Sequence, residues 1–335
     1  SRVTGDGIEV SLAGTVQEWG ERCNVALDGQ IGYDLARLVT RLRTHLGPSL
    51  QLEGRDVRPF AVRGPLRNLE VASATIRPAG GAQTPTPQPW LPLNLAAQAG
   101  LHWNSALVYG LPIGPGEIES QLKDGVLLFK PLDVEVAQGR LRLAPRVHFD
   151  QPEPVLVAEA GPALEKVTLT PELCATWLKY IVPVVADVTE AQGQFSVALT
   201  DTAVVPLQRP EDGELRGQID IHGVEVGPSP MTRELISLAQ SVKAIADNKQ
   251  APEPANAKVW LQMPEQPIPF HWRQRRVYHE RLAIHVRDVS IVTGGSVGMD
   301  QSVNLMAQIP IRDEWVSKNK YMASLQGQSL QIPIT

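Results

Sequence analysis

Alternating aliphatic and polar residues near the end of the chain form its clearest pattern. The aliphatic set comprises Val303, Leu305, Ala307, Ile309 and Ile311. Successive side chains of a strand point to opposite faces of a sheet, so this alternation predicts a strand with one buried face. Upstream, the aliphatic residues change from even to odd positions around Arg287 and Asp288. Because one extra residue shifts a hydrophobic set between phases, this change predicts a β-bulge.

Shorter apolar segments predict further strands along most of the chain. They lie at 8–12, 25–27, 50–52, 60–62, 71–76, 126–129, 132–136 and 141–149. Residues 137–139 predict a tight turn between the last two segments, and hence a hairpin with one wet face. Turns are also predicted at 294–295 and 298–301, where glycine and polar residues cluster. A glycine followed by alternating apolar residues recurs with irregular spacing, which indicates repeated hairpins rather than a solenoid of fixed period.

Three helices are predicted between the strands. The first covers 35–46 and is capped by Asp34. The second begins at Thr170 and is apolar over most of its circumference, and Pro183 is expected to kink or break it. The third covers 229–248. Its apolar stripe is predicted to contain Met231, Leu235, Leu238, Val242 and Ile245.

Composition favours a turn-rich β framework. The chain has 27 Gly and 28 Pro but only 5% aromatic residues, so its core must be built from Val, Leu, Ile and Ala. The sequence therefore predicts a mainly β fold with a few helices (α+β). We expect an N-terminal strand and helix unit, a Pro/Gly-rich linker, central hairpins with two helices, a second linker and a C-terminal hairpin unit, at 1–78, 79–92, 93–248, 249–255 and 256–335. Since the chain starts and stops within strand patterns, we expect it to be a fragment of a longer protein.

Charge and cysteine content argue against several classes of function. A net charge of -5 and a pI near 5.8 give no electrostatic basis for binding nucleic acid. No run approaches the ~20 apolar residues of a membrane span, and the first residues do not form a signal segment. Cys23 and Cys174 lie far apart and form no CxxC motif, which argues against a metal site. Two free thiols and one long-range disulfide both remain open.

Candidate catalytic groups are sparse. His271, His279 and His285 share parity, which predicts a common face, but the nearer pair would lie about 20 Å apart along one strand, too far for a shared metal ion. Glu117 and Glu119 form a same-face carboxylate pair of a kind that is common on strand surfaces. The sequence contains no GxSxG elbow, no P-loop and no GxGxxG. We therefore predict no catalytic residue, no metal site, no cofactor and no enzymatic activity.

The order of features in the C-terminal hairpin resembles that of a known family. These features are Phe270, the basic segment through 277–279, the aliphatic run 282–291, the glycine-rich turn 294–300, the segment 303–305 and the strand end Ile309-Pro310-Ile311. Together they look like the C-terminal region of AsmA-like proteins, the bacterial group that includes the TamB-type proteins. The resemblance covers roughly the last quarter of the chain. The basic run 273–276 and the three helices depart from the simple repeat of that family.

The resemblance implies both a fold and a function. The fold is an elongated, curled antiparallel sheet, or β-groove, built from repeated hairpins. The function is lipid transport and outer-membrane biogenesis by a bacterial cell-envelope protein on the periplasmic side of a membrane. The implied partners are phospholipid or another acyl lipid, and a membrane reached through parts of the protein outside this chain. The family is not enzymatic, so no catalytic residues are carried over.

Lipid binding also has a physical basis in the sequence. An acyl chain can cover aliphatic side chains as well as a second sheet can, since burial stabilises by ~25 cal/mol per Å² in either case. The candidate lipid-binding residues are Leu141, Leu143, Phe195, Val197, Leu199, Val303, Leu305, Ala307 and Ile309. The alternative is a structural or protein-interaction scaffold whose helices close its core. A hydrolytic domain is a third hypothesis, and it requires a cluster of acids or histidines that the sequence does not offer.

Overall fold

The computed structural model describes residues 2–19, 23–46, 50–67, 89–227, 229–250, 260–318 and 327–334. The strand predicted at 71–76 lies outside the described residues, as do most of the linker predicted at 79–92 and most of the one at 249–255. All strand pairings among the described residues are antiparallel, and they form two sheets.

Sheet A contains ten strands of the described chain. In spatial order they are β1 (Arg2–Gly5), β2 (Ile8–Gln17), β3 (Asn24–Asp34), β5 (Arg55–Pro65), β6 (Ala96–Trp103), β9 (Gly116–Lys123), β10 (Val126–Phe129), β13 (Arg146–His148), β14 (Val155–Ala158) and β18 (Ala203–Pro206).

Sheet B contains the other sixteen described strands. In chain order they are β4 (Leu50–Glu53), β7 (Ser105–Val108), β8 (Leu111–Ile113), β11 (Leu132–Val136), β12 (Gly139–Leu143), β15 (Gly161–Thr168), β16 (Ala191–Gln192), β17 (Gln194–Leu199), β19 (Leu215–Ile221), β20 (Val224–Val226), β21 (Leu261–Met263), β22 (Gln266–Arg273), β23 (Arg276–Val286), β24 (Val289–Gly298), β25 (Val303–Pro310) and β26 (Ser329–Ile334).

The chain passes back and forth between the two sheets through short links. The links of one to three residues are 54, 104, 114–115, 130–131, 144–145, 159–160 and 200–202. Links this short place consecutive strands nearly end to end, so the two sheets must meet along one line, here called the crease. At the crease, Tyr33 and Trp103 of sheet A join Ala106 and Val134 of sheet B in one core cluster. The inner faces of the two sheets therefore face each other.

Helices α1 and α3 begin where the sequence predicts, and the cap of α1 is the predicted Asp34. Helix α1 (Leu35–Leu46) follows Asp34, whose carboxylate accepts a hydrogen bond of 3.3 Å from an amide of the first turn. Helix α3 (Pro230–Ala246) starts at Ser229, which forms a capping box with Thr232. Both starts are confirmed because side-chain oxygens satisfy amides that have no partner within a helix.

Leu235 and Val242 of the predicted stripe of α3 are buried, but the other buried members of the stripe lie one position later than predicted. Its members include Thr232, Leu235, Ala239, Val242 and Ala246. Ile245, which the sequence places on the buried stripe, is 57% exposed. The small side chains of Ala239 and Ala246 allow the helix backbone to approach the sheet closely. The packing gained in this way outweighs the burial of the more hydrophobic Ile245.

Helix α2 packs on the inner face of sheet B. It comprises Pro171–Leu173, a π-helical turn at Cys174–Leu178, and Lys179–Ile181. It stops before Pro183, as predicted, because proline donates no backbone hydrogen bond and its ring clashes with the preceding turn. A short helix that the sequence does not predict, α4 (Asp313–Lys318), follows β25. Side chains of α2, α3, α4 and sheet B form one large buried core.

The turn between β23 and β24 corrects one prediction. Val286 pairs with Val289, so Arg287 and Asp288 form a two-residue turn in which Arg287 has a φ of +55°. Two turn residues move the aliphatic set from even to odd positions while its side chains stay on the same face. The phase change that predicts a bulge at this point is therefore a hairpin turn.

The β-bulge of this hairpin lies earlier in β23. The ladder shifts register between His279 and Leu282, where two residues of β23 oppose Gly294 alone. The residues 294–295, predicted as a turn, therefore belong to the interior of β24. The turn predicted at 298–301 is confirmed, and the hydrogen bond that closes it is 2.8 Å long.

The fold is mainly antiparallel β with a few helices, and its large sheets are curled, as the sequence predicts. Sheet B takes β4 from the predicted N-terminal unit, β15 from the central unit and β26 from the C-terminal unit. Sheet B thus contains strands from both sides of each boundary expected from composition, and sheet A contains strands from both sides of the first. Helices α2, α3 and α4 cover the C-terminal part of sheet B, whereas α1 lies against β3 and β4.

Candidate functional site

Six of the nine candidate lipid-binding residues lie in closed core. They are Phe195, Val197, Leu199, Leu305, Ala307 and Ile309. Helix α2 covers part of this set, since the ring of Trp177 meets Phe195 edge-on with 5.7 Å between the ring centroids. The other three, Leu141, Leu143 and Val303, are half-buried on the same face of sheet B. Side chains of the protein itself therefore fill the trough predicted over the C-terminal hairpin. The alternating pattern predicts that one face of a strand is apolar, but it does not show what covers that face.

A different apolar face lies open on sheet A. Side chains that oppose one another on eight neighbouring strands form a row, here called the inner row: Leu27, Val62, Ala97, Leu122, Leu127, Val147, Leu156 and Val205. The row points toward sheet B, because Tyr33 and Trp103 of the core lie on the same face of their strands as Leu27 and Ala97. With ~4.8 Å between neighbouring strands, the row extends for roughly 34 Å.

The described residues cover the inner row only in part. All of its members except Leu122 and Val147 are half-buried, and none belongs to a core cluster of the described residues. Beyond the row, the same face carries Val3, Ile8 and Val16 with 61%, 36% and 41% of their surfaces exposed. Contiguous exposed apolar surface is typical of a binding site for an apolar partner. The alternation of the first strands signalled this face, but the more regular C-terminal pattern dominated the prediction.

The predicted carboxylate pair lies on the outer face of sheet A. Glu117 forms an ion pair of 3.1 Å with Arg58, and Glu119 forms one with Lys130. The pKa of Arg58 is raised, first by its hydrogen bond with Asp56 and then by the one with Glu117. The two glutamates are thus neutralised by separate cations, and they do not converge on one point as a catalytic pair would.

Sheet A opens into a gap between β5 and β6. The two strands pair only where 61–63 meets 96–98. In contrast, β5 pairs with β3, and β6 with β9, along nearly their whole lengths. A cavity of about 610 Å³ lies beside the gap, and its lining includes Arg58, Glu119 and Phe129. Charged groups therefore lie next to the apolar inner face at this gap.

The three histidines do not share a face. His271 pairs with Tyr278, the neighbour of His279, and the β-bulge shifts the phase again before His285. His279 lies in the core with 2% of its surface exposed, and burial lowers its pKa to about 4. Neither of its ring nitrogens has a hydrogen-bond partner among the described residues. No group of three His, Cys, Asp or Glu within the described ranges is placed to hold a metal ion.

Both cysteines are free thiols. Cys23 is half-buried and Cys174 is fully buried. Burial raises the pKa of Cys174 to about 12, so this thiol stays protonated and unreactive at neutral pH. Of the two alternatives left open by the sequence, the structure therefore shows the free thiols.

No protein-family model, curated protein or solved structure matches this chain. Among the described residues, no helix combines the length and the apolar character that crossing a bilayer requires. The inner row and the gap beside it are therefore the main guides to function.

Proposed function

We propose that this chain is a non-catalytic lipid-binding segment of a bacterial cell-envelope protein, and that acyl chains of phospholipid or another lipid lie along the inner row. The observation that carries the proposal is the unbroken line of apolar side chains across eight strands, most of them half-buried. The resemblance of the C-terminal hairpin to AsmA-like proteins supports the same function. In this proposal, other parts of the protein reach the membrane.

The length and chemistry of the inner row suit acyl chains. The hydrocarbon core of a bilayer is ~30 Å thick and contains two layers of chains, so one acyl chain spans about 15 Å. The inner row, at roughly 34 Å, is about twice as long. Aliphatic side chains attract hydrocarbon without directional bonds, so a bound chain can move from strand to strand with little change in energy. These properties favour lipid passage along the row as well as lipid binding.

Two valines of β5 provide a matched test. Val62 belongs to the inner row, whereas Val57 lies on the outer face of the same strand and is 59% exposed. Lipid bound to the purified protein is extracted and quantified by mass spectrometry. We expect Val57→Glu to retain as much lipid as the wild type and Val62→Glu to retain about a tenth or less, because a carboxylate facing hydrocarbon is costly.

Two results would overturn the proposal. One is a wild-type protein that carries no lipid and takes none up from phospholipid vesicles. The other is a Val62→Glu variant that keeps the circular dichroism spectrum of the wild type and binds as much lipid as Val57→Glu.

A structural or protein-interaction scaffold is the second candidate function. The observation that favours it is the closed C-terminal core, in which α2 and α3 cover sheet B. The scaffold predicts no lipid in the extract and no difference between the two valine variants. The same measurement therefore separates the two candidates.

A further inference from the structure

An arginine and a glutamate on opposite faces of sheet A reach each other. Arg58 shares the inner face with Val62, since both occupy even positions of β5. Glu117 lies on the outer face, because its neighbour Ile118 packs against the core. The side chains nevertheless form an ion pair of 3.1 Å. A continuous sheet would separate them, so the pair passes through the gap between β5 and β6, which connects the outer surface to the inner face.

The cavity beside the gap has charged and apolar walls. Arg58, Glu119 and Lys130 supply the charge. Ala99 and Phe129, which lie on the inner face, supply apolar lining. The ion pairs here are at least partly exposed, and such pairs contribute at most about 1 kcal/mol, so they exchange partners at small cost. Charged groups next to an apolar face suit a ligand with a polar end and a hydrocarbon end.

We infer that the gap holds the polar headgroup of a zwitterionic lipid whose acyl chain lies on the inner row. This inference rests on the proposed function, and it adds the class of lipid and the position of its headgroup. The opening allows the headgroup to stay in water while the chain enters the interior. Arg58 and Lys130 donate hydrogen bonds to the phosphate, and the carboxylates of Glu117 and Glu119 attract the positive charge of the ammonium group.

The charges around the gap favour a zwitterion over an anion. Two cations, Arg58 and Lys130, are paired with three carboxylates, Asp56, Glu117 and Glu119. A headgroup that carries both charges can exchange partners with these pairs and leaves the net charge around the gap unchanged. A purely anionic headgroup meets an excess of negative charge, which repels it.

The test compares four soluble ligands on the whole chain after removal of co-purified lipid. They are a short-chain phosphatidylcholine, a short-chain phosphatidylglycerol, a nonionic alkyl glucoside and phosphocholine without acyl chains. Each is titrated by calorimetry below its micelle concentration. Arg58→Leu and Glu117→Gln each remove one partner of the ion pair. Because the side chain of Glu117 is exposed, we expect Glu117→Gln to fold like the wild type. The matched control is Arg63→Leu, an exposed arginine of the same strand that pairs with Asp28.

We expect Arg58→Leu and Glu117→Gln to bind the phosphatidylcholine at least about tenfold more weakly than the wild type and Arg63→Leu do, with no change for the glucoside. The headgroup inference is overturned by equal phosphatidylcholine binding in all variants, by tighter binding of phosphatidylglycerol, or by equally tight binding of phosphocholine alone. In those cases glucoside binding still upholds the proposed function. If no ligand with an alkyl chain binds, the proposed function fails, and this inference fails with it.

Discussion

The hydroxyl of Tyr33 bonds to both backbone groups of His102. It accepts a hydrogen bond from the amide at 2.6 Å and donates one to the carbonyl oxygen at 3.2 Å. His102 lies in β6 beside the gap, where β5 does not pair with it. The tyrosine therefore takes the place of a neighbouring strand, and sheet A can open at this point without leaving these backbone groups unsatisfied.

We expect Tyr33→Phe to lower the free energy of unfolding by about 1–3 kcal/mol, because the amide and carbonyl of His102 lose their partner in a partly buried place. Urea denaturation followed by fluorescence measures the change. The control is Tyr109→Phe, at a site that is 56% exposed, which should leave stability unchanged. Equal stability of the two variants would show that the hydroxyl of Tyr33 contributes nothing.

The crease can be tested at a glycine. A Cβ atom on Gly116 would lie 2.5 Å from the ring of Trp103 and 2.7 Å from a methyl group of Val134, in the facing sheet. We expect Gly116→Ala to destabilise the fold by about 1–3 kcal/mol through overpacking. Gly100→Ala in the neighbouring strand meets nothing closer than 3.5 Å and should be tolerated. Thermal unfolding compares them, and a stable Gly116→Ala variant would mean that the sheets do not meet here.

Adjacent residues of β25 test whether the C-terminal core is closed. Leu305 is 3% exposed, whereas Met306 is 37% exposed on the other face. Leu305→Asp buries an unpaired carboxylate, so we expect a loss of about 3–5 kcal/mol or failure to fold. Met306→Asp should change stability by less than about 0.5 kcal/mol. A folded Leu305→Asp variant of normal stability would indicate that this face is open to solvent or lipid.

His279 makes stability depend on pH. Its pKa is about 4 in the folded chain, below the ordinary 6.5 expected after unfolding, because burial disfavours the charged ring. As the pH falls from 6.5 to about 4, the unfolded chain binds the proton before the folded chain does. The free energy of unfolding therefore decreases by at most about 3 kcal/mol over this range. Urea denaturation between these two pH values measures the free energy of unfolding, and the decrease due to His279 should be absent in His279→Leu. His285→Leu, on the outer face of the same strand, should keep it, and identical slopes for both variants would contradict the assignment.

Features that depend on nearby residues are predictable from the sequence. Thr170 caps α2, and Pro183 stops it. The turn predicted at 137–139 is formed by Ala137 and Gln138, with φ values of +43° and +66°. Each of these outcomes follows from backbone chemistry within a few residues.

The candidate site depends on contacts between distant residues. Leu27 and Leu305 lie in similar alternating patterns, yet Leu27 is half-buried on an open face and Leu305 is enclosed. The difference is set by which helix or sheet packs above each strand, and alternation carries no information about that. The gap is hidden for the same reason, since it arises where β5 and β6 cease to pair.

The short links at the crease also join the folding of the two sheets. Because the chain enters them in turn, neither sheet is a continuous piece of sequence that could be excised and fold alone. Removal of the two strands that any one link joins would leave unpaired strand edges in both sheets, so the two sheets gain and lose order cooperatively. Each further pair of strands joined by such a link would add one strand to each sheet, so the two sheets would widen together.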